Sequence, residues 1–186
     1  MKKNVILIAM ALLMMPFATK AQDIFTKYSD NADVTYVNIK PKMFQMLAKI
    51  DIDTDDPEAK EYLEMVNSIT SLKTIITEKG DISADITSWV SSKTSSLEEL
   101  MEVKDDGTVI KFYVKEGKDE DHVQELLIFV NGISKHMEDA NVSVNGEQRK
   151  FETVIVSLTG DIDLKQISKL TKQMNIPGGE HLEDKE

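Results

Sequence analysis

Acidic side chains dominate the chemistry this sequence could offer. Asp51, Asp53 and Asp55 alternate within the stretch Asp51-Ile52-Asp53-Thr54-Asp55-Asp56-Pro57-Glu58. That spacing matches the first, third and fifth ligand positions of a helix–loop–helix calcium loop. The sixth position, where the sharp turn asks for glycine, is Asp56. The twelfth, where a bidentate glutamate belongs, is Tyr62, and Pro57 fixes a helical φ in mid-loop. Asp51, Asp53 and Asp55 are therefore a candidate metal site only as three loose carboxylates. Read as a helix start, the same acids complement the dipole of the helix that follows.

Asp161 and Asp163 lie between a strand pattern and a helix pattern, where paired carboxylates could do acid–base work. Capping by Asp163 and a turn at Gly160 account for the same residues. His122, His136 and His181 lack metal-like spacing. Asp119-Glu120-Asp121 reads as a solvated turn. Tyr113 and Lys115 share the wetter face of a strand and are the candidate partner-binding residues, set against a plain role in cross-strand packing. Met43, Phe44, Met46 and Leu47 read as a buried stripe more readily than as a partner groove. The chain has no Gly-x-Ser-x-Gly elbow, no glycine-rich phosphate loop and no cysteine. It therefore offers no thiol nucleophile and no thiolate ligand. These patterns point to no catalytic residue and no cofactor.

The first residues speak to compartment. Lys2 and Lys3 precede an uncharged apolar run, Val5 to Met15, and Thr19 and Ala21 place small side chains before Gln22. This is the pattern of a secretory signal peptide over residues 1–21. A spanning helix needs ~20 apolar residues, and Pro16 interrupts a shorter run here. The expectation is export to the periplasm or beyond, as a soluble protein with no transmembrane segment after signal removal. Without a cysteine there is no lipoprotein anchor.

Composition narrows the partners. The formal charge is −11 over 186 residues. Removing residues 1–21 takes away three lysines and no acid, so 165 residues with a formal charge of −14 remain. Arg149 is the only arginine, and the lysines are interleaved with acids. Nucleic acid is not an expected partner, because phosphate backbones draw on clustered Lys and Arg. A chain of this length can bury a core without staples.

Several elements are legible. Asp23 to Ser29 carries Ile24, Phe25 and Tyr28 on a short helix, and Val34 to Ile39 is a β-branched and aromatic strand. Pro41 opens one helix. Pro57 opens another, capped by Asp56, with Ala59, Tyr62, Leu63 and Val66 on one face. A strand over Leu72 to Thr77 precedes a helix from Ser83 to about Ser95, which docks through Ile82, Ile86, Trp89 and Val90. Asp105-Asp106-Gly107 joins a hairpin of Leu97–Lys104 and Thr108–Lys115. In its second strand Ile110, Phe112 and Val114 face the core. Val123 to Val130 is apolar on both faces, as a central strand would be. Asn145-Gly146 marks a turn joining Asn141–Val144 to a strand at Phe151–Leu158. A last helix starts at a capping box of Asp163 and Gln166, with Ile162 and Ile167 as its staple and Leu164, Leu170 and Met174 on the same stripe. The sum is one α+β domain over residues 22–175, a mostly antiparallel sheet with helices packed against it and a closing C-terminal helix. Residues 176–186 read as a disordered acidic tail.

Four segments carry a family resemblance. They are Lys20-Ala21-Gln22, Asp23 to Tyr28 leading into Val34 to Ile39, Leu100 to Gly107, and above all Ser157 to Leu170. Together they resemble an exported family found mainly in Bacteroidetes, catalogued as domain of unknown function 4252. The resemblance implies export and a compact α+β domain, and it carries no catalytic residues. The functional expectation is a non-enzymatic cell-envelope module that binds another envelope protein or a small ligand. The alternative is an envelope hydrolase using carboxylates distant in sequence.

Overall fold

The computed structural model describes residues 23–49, 57–133, 143–144, 147–148 and 151–167. Its β-branched and aromatic runs form β1 (Val34–Ile39), β2 (Ile69–Thr77), β3 (Glu98–Asp105), β4 (Thr108–Glu116), β5 (His122–Asn131) and β8 (Thr153–Asp163). These six make one sheet in the order β1-β2-β8-β5-β4-β3, with every neighbour antiparallel. The short strands β6 (Ser143–Val144) and β7 (Glu147–Gln148) pair separately. The helices are α1 (Ile24–Lys27), α2 (Pro41–Leu47), α3 (Pro57–Ser68) and α4 (Gly80–Lys93), and residues 164–167 turn helical again after β8. This is the α+β class expected from the sequence.

Period-2 alternation sorts the sheet into two faces, and both are covered. On one face Tyr36, Ile75, Ile155 and Phe129 lie in register across four strands. Ile24 and Phe25 of α1 and Ile82, Ile86 and Val90 of α4 pack over this face, with Trp89 against them. On the other face Phe44 of α2 and Met65 and Val66 of α3 cluster with Leu72 and Leu158. Phe112, Val114, Leu126 and Ile162 form a third cluster beside them, with Leu164 and Ile167 packed on it. Ile75, Ile86, Leu127, Ile155 and Ile162 are fully buried. Burial of each such side chain is worth ~1.5–3 kcal/mol.

Tyr113 was expected on a wetter strand face. That face of β4 lies under the α1/α4 layer instead, because helices cover both sides of the sheet. The expected stripe on α2 divides. Phe44 is buried, whereas Met43, Met46 and Leu47 are exposed, since a seven-residue helix near the sheet's edge reaches the core with one side only. The strand at 143–144 pairs with 147–148 rather than with 151–158. α4 starts three residues earlier than expected, at Gly80, and its Ser and Thr hydroxyls bond back to preceding carbonyls, as from Thr87 to Ser83 at 2.8 Å and from Ser91 to Thr87 at 2.9 Å.

The hairpin turn conforms to its sequence. Asp106 and Gly107 both take positive φ, +38° and +86°, as a two-residue type I′ connection requires. The largest departure from expectation is in β8, which continues through Gly160 to Asp163. Gly160 has φ +153°, and a Cβ there would meet the Ser68 carbonyl oxygen at 2.6 Å and the Ile69 Cα at 2.8 Å. Both contacts are backbone, where α3 runs into β2. Gly160→Ala is therefore expected to destabilise the fold by ~1–3 kcal/mol, read as a lower melting temperature. An unchanged melting temperature would show that this close approach is not required.

Candidate functional site

The pairing of β5 with β8 gathers residues that are far apart in the chain. From Asn131 to Glu125 the register runs evenly, with Leu126 opposite Leu158 and Glu125 opposite Thr159. It then shifts, and Val123 falls opposite Ile162 and His122 opposite Asp163. The shift lets Val123 turn into the apolar cluster beside Ile162, with Asp161 exposed and Asp163 at the rim. The turn between β4 and β5 is thereby laid against the end of β8. Lys118 Nζ bonds Asp161 Oδ2 at 2.7 Å, and Lys165 Nζ bonds Asp121 Oδ2 at 2.8 Å. The Leu164 amide donates to the Asp121 carbonyl at 2.9 Å.

These contacts frame an open basin of about 590 Å³. Its apolar lining is Leu100, Val114, Val123 and Leu164. Its polar lining includes five carboxylates, Glu98, Glu116, Asp119, Glu120 and Asp121. His122 Nδ1 lies 2.6 Å from Asp119 Oδ1. That hydrogen bond holds the Asp119 carboxyl below the usual aspartate range. A volume of this size suits a small ligand or a short run of side chains, and its charge suits a cation.

Asp119, Asp121, His122, Asp161 and Asp163, separate in the sequence, thus meet at one end of the sheet. Asp163 also caps the following helix, its Oδ1 accepting from the Lys165 amide at 2.8 Å and the Gln166 amide at 3.4 Å. The reciprocal half of the expected capping box is replaced, because Gln166 Nε2 donates to Glu61 Oε2 of α3 at 3.0 Å. Tyr113 is 2% exposed under the α1/α4 layer, and burial pushes its phenol pKa up. Lys115 is exposed at the end of β4. Asp51, Asp53 and Asp55 lie outside the described residues, as do His136 and His181. Among the described residues no group of three or more His, Asp or Glu side chains could hold a metal ion.

A second charged region lies on the opposite face, where α1 and the end of α4 meet the sheet. Two small hollows of about 290 and 180 Å³ share Asp23, Trp89 and Lys93. Its charges are spent on intramolecular partners. Lys73 pairs with Asp23 at 3.1 Å and stands over the Phe25 ring, and Lys93 stands over Trp89. Glu125 accepts from Ser157 Oγ at 3.0 Å, with Lys93 at 3.9 Å. Phe25 meets Trp89 edge to face at 6.0 Å. Nearby, Asp85 Oδ2 accepts from Lys27 Nζ at 2.7 Å and from the Tyr28 hydroxyl at 3.0 Å. This is a clamp that fastens α1 to α4, whereas the basin presents several carboxylates to one opening.

An α+β protein with an acidic, apolar-lined basin at one end of an antiparallel sheet is the class these observations define. The family model described as Domain of unknown function (DUF4252) matches residues 28–170, and the chain belongs to that family. No curated protein and no solved structure matches the chain.

The clamp gives a pH prediction. Hydrogen bonding from Lys27 lowers the Asp85 pKa, so the stabilisation is present above the ordinary aspartate range and is lost as pH falls through the lowered value. Trp89 is the only tryptophan and touches Phe25 of α1, so its emission reports the docking of that helix. Acidification through that window is expected to shift Trp89 emission to the red before global unfolding. Asp85→Asn is expected to remove this step. A wild-type emission that holds steady until the whole chain unfolds would contradict the assignment.

Proposed function

We propose that the chain is exported to the cell envelope and there binds a basic, apolar-bearing segment of another envelope protein. The observation that carries this reading is the basin of Glu98, Glu116, Asp119, Glu120 and Asp121 around Leu100, Val114, Val123 and Leu164. A lysine or arginine side chain meets the carboxylates, and an adjacent apolar side chain meets the lining. Two of the basin's own cationic contacts, Lys118–Asp161 and Lys165–Asp121, are directed at fixing its walls. All five lining acids are exposed, and Asp119 and Asp121 are engaged by His122 and Lys165.

Electrostatics favour binding over hydrolysis as the use of this site. A glycosidase-type general acid needs a carboxyl whose pKa is raised near a second carboxylate. Among the described residues, the carboxyls with a resolved shift are Asp85, Glu102 and Asp119, and all three are lowered by hydrogen-bonded cations or imidazole. Of these only Asp119 lines the basin, and a lowered carboxyl stays ionised, which suits holding a cation rather than giving up a proton.

For binding, the probe is a short peptide of alternating lysine and leucine, titrated calorimetrically. It is expected to bind with an affinity that falls as salt rises, and the double variant Glu116→Gln with Glu120→Gln should weaken it roughly five- to tenfold. Equal binding of a glutamate–leucine peptide, or indifference to the double variant, would remove the basin from consideration. For export, the N-terminus of the protein recovered from the envelope fraction is expected to begin at Gln22. Recovery of the intact chain, Met1 included, from the cytosol would contradict that half of the proposal.

A further inference from the structure

The two edges of the sheet are built differently. β3 carries Glu98, Glu99, Glu102, Lys104 and Asp105, and its pairing with β4 shifts register between Glu99 and Met101. Charge and a bulge are the devices that keep an edge from pairing with another chain. β1 has neither. Its sequence Val34-Thr35-Tyr36-Val37-Asn38-Ile39 is uncharged, and it pairs with β2 over six consecutive positions without a shift. Among the described residues no strand lies on its outer side.

The same edge carries exposed apolar side chains. Val37 is 39% exposed and lies on the sheet face occupied by α2, the helix that follows β1 directly. On α2, Met43, Met46 and Leu47 fall at i, i+3 and i+4 and are 49%, 58% and 40% exposed. An unprotected edge and an apolar patch beside it form one continuous surface.

The charges flanking β1 select the occupant. Asp30 and Asp33 precede the strand, and Lys40 and Lys42 follow it, all exposed. A second copy laid antiparallel, centred so that Val37 faces Val37, places Thr35 opposite Ile39. Asp33 then falls opposite Pro41, between Lys40 and Lys42 of the other copy. Opposite charges meet at both ends of the paired strands. A parallel arrangement would set acid beside acid and lysine beside lysine. From this we infer that β1 is a homodimer edge: two copies join through antiparallel β1 strands into a continuous twelve-stranded sheet, with Met43, Met46 and Leu47 of each copy covered near the two-fold axis. This interface is isologous, as closed dimers require, and it lies at the opposite edge of the sheet from the strands that line the basin.

The test is the solution mass of the purified protein by light scattering, with variants at exposed positions that leave the core intact. The wild type is expected to be a dimer. Val37→Lys and Met46→Glu are each expected to yield monomer with an unchanged circular dichroism spectrum, and Glu102→Lys on the other edge should leave the dimer in place. The chain lacks cysteine, so Val37→Cys introduces a single thiol. Mild oxidation should then convert that variant to a covalent dimer, while Glu102→Cys remains uncrosslinked. A wild type that is monomeric at every attainable concentration would overturn the inference. A dimer that survives Val37→Lys and forms no crosslink through Val37→Cys would overturn it as well, because the copies would then meet elsewhere. A monomer that binds an extended peptide along β1 would identify a foreign strand as the occupant and would also overturn it.

Discussion

One irregularity in β5, opposite the end of β8, decides where the functional groups of this protein lie. An unbroken antiparallel register would carry Val123 opposite Asp161 and His122 opposite Ile162. The shift between Val123 and Glu125 sets Val123 against Ile162 and His122 against Asp163 instead. A one-residue slip exchanges the faces of a strand. Here it turns Val123 of β5 to the side of Ile162, while β8 keeps its alternation and carries Asp161 and Asp163 outward. The partner strand on the other side, β2, shifts at the same level, between Ile69 and Ser71. Gly160 sits between the two shifts, at a place where the backbone of the α3–β2 junction leaves no room for a side chain. The packing of the last helical turn, the two lysine ties and the basin they frame all follow from that local geometry.

The rest of the domain holds β8 in place. Thr153, at its start, is buried, and its Oγ1 donates to Asn131 Oδ1 at 2.7 Å. Ser83 of α4 bonds the same oxygen at 3.0 Å. This small polar knot pins the start of α4 to the two central strands with its hydroxyls satisfied, which avoids the cost of burying them unpaired. Ile155 lies under α4, and Leu158 lies under α2 and α3. The chain has no disulfide, so uniqueness must come from such packing and from the register of the sheet. Charge is divided in the same way. The α1/α4 side pairs its charges internally, and the open end of the sheet keeps a surplus of acid.

Much of the fold was legible in the residues. The β1 strand, the prolines opening α2 and α3, the Asp106-Gly107 turn, the docking face of α4 and the Asp163 cap all appear where local patterns placed them. Each depends on residues within one or two turns of chain. What did not show was what depends on register and layering. Tyr113 alternates with apolar neighbours and so resembled a residue on a half-wet strand, yet a helix from elsewhere in the chain covers it. Met43, Met46 and Leu47 have core spacing, and their exposure follows from the place of α2 beside an edge strand. Asp119, Asp121, His122, Asp161 and Asp163 each had a bland local explanation. Only Gly160 hinted that β8 was special, and a glycine between a strand and a helix reads first as a turn.

The basin therefore depends on the pairing of β5 with β8, and backbone interstrand nuclear Overhauser contacts measure that pairing directly. Contacts of Leu126 with Leu158, Glu125 with Thr159, Val123 with Ile162 and His122 with Asp163 are the predicted pattern. Contacts of Val123 with Asp161 and of His122 with Ile162 would contradict it. They would turn Val123 away from Ile162 and out of the basin's apolar lining.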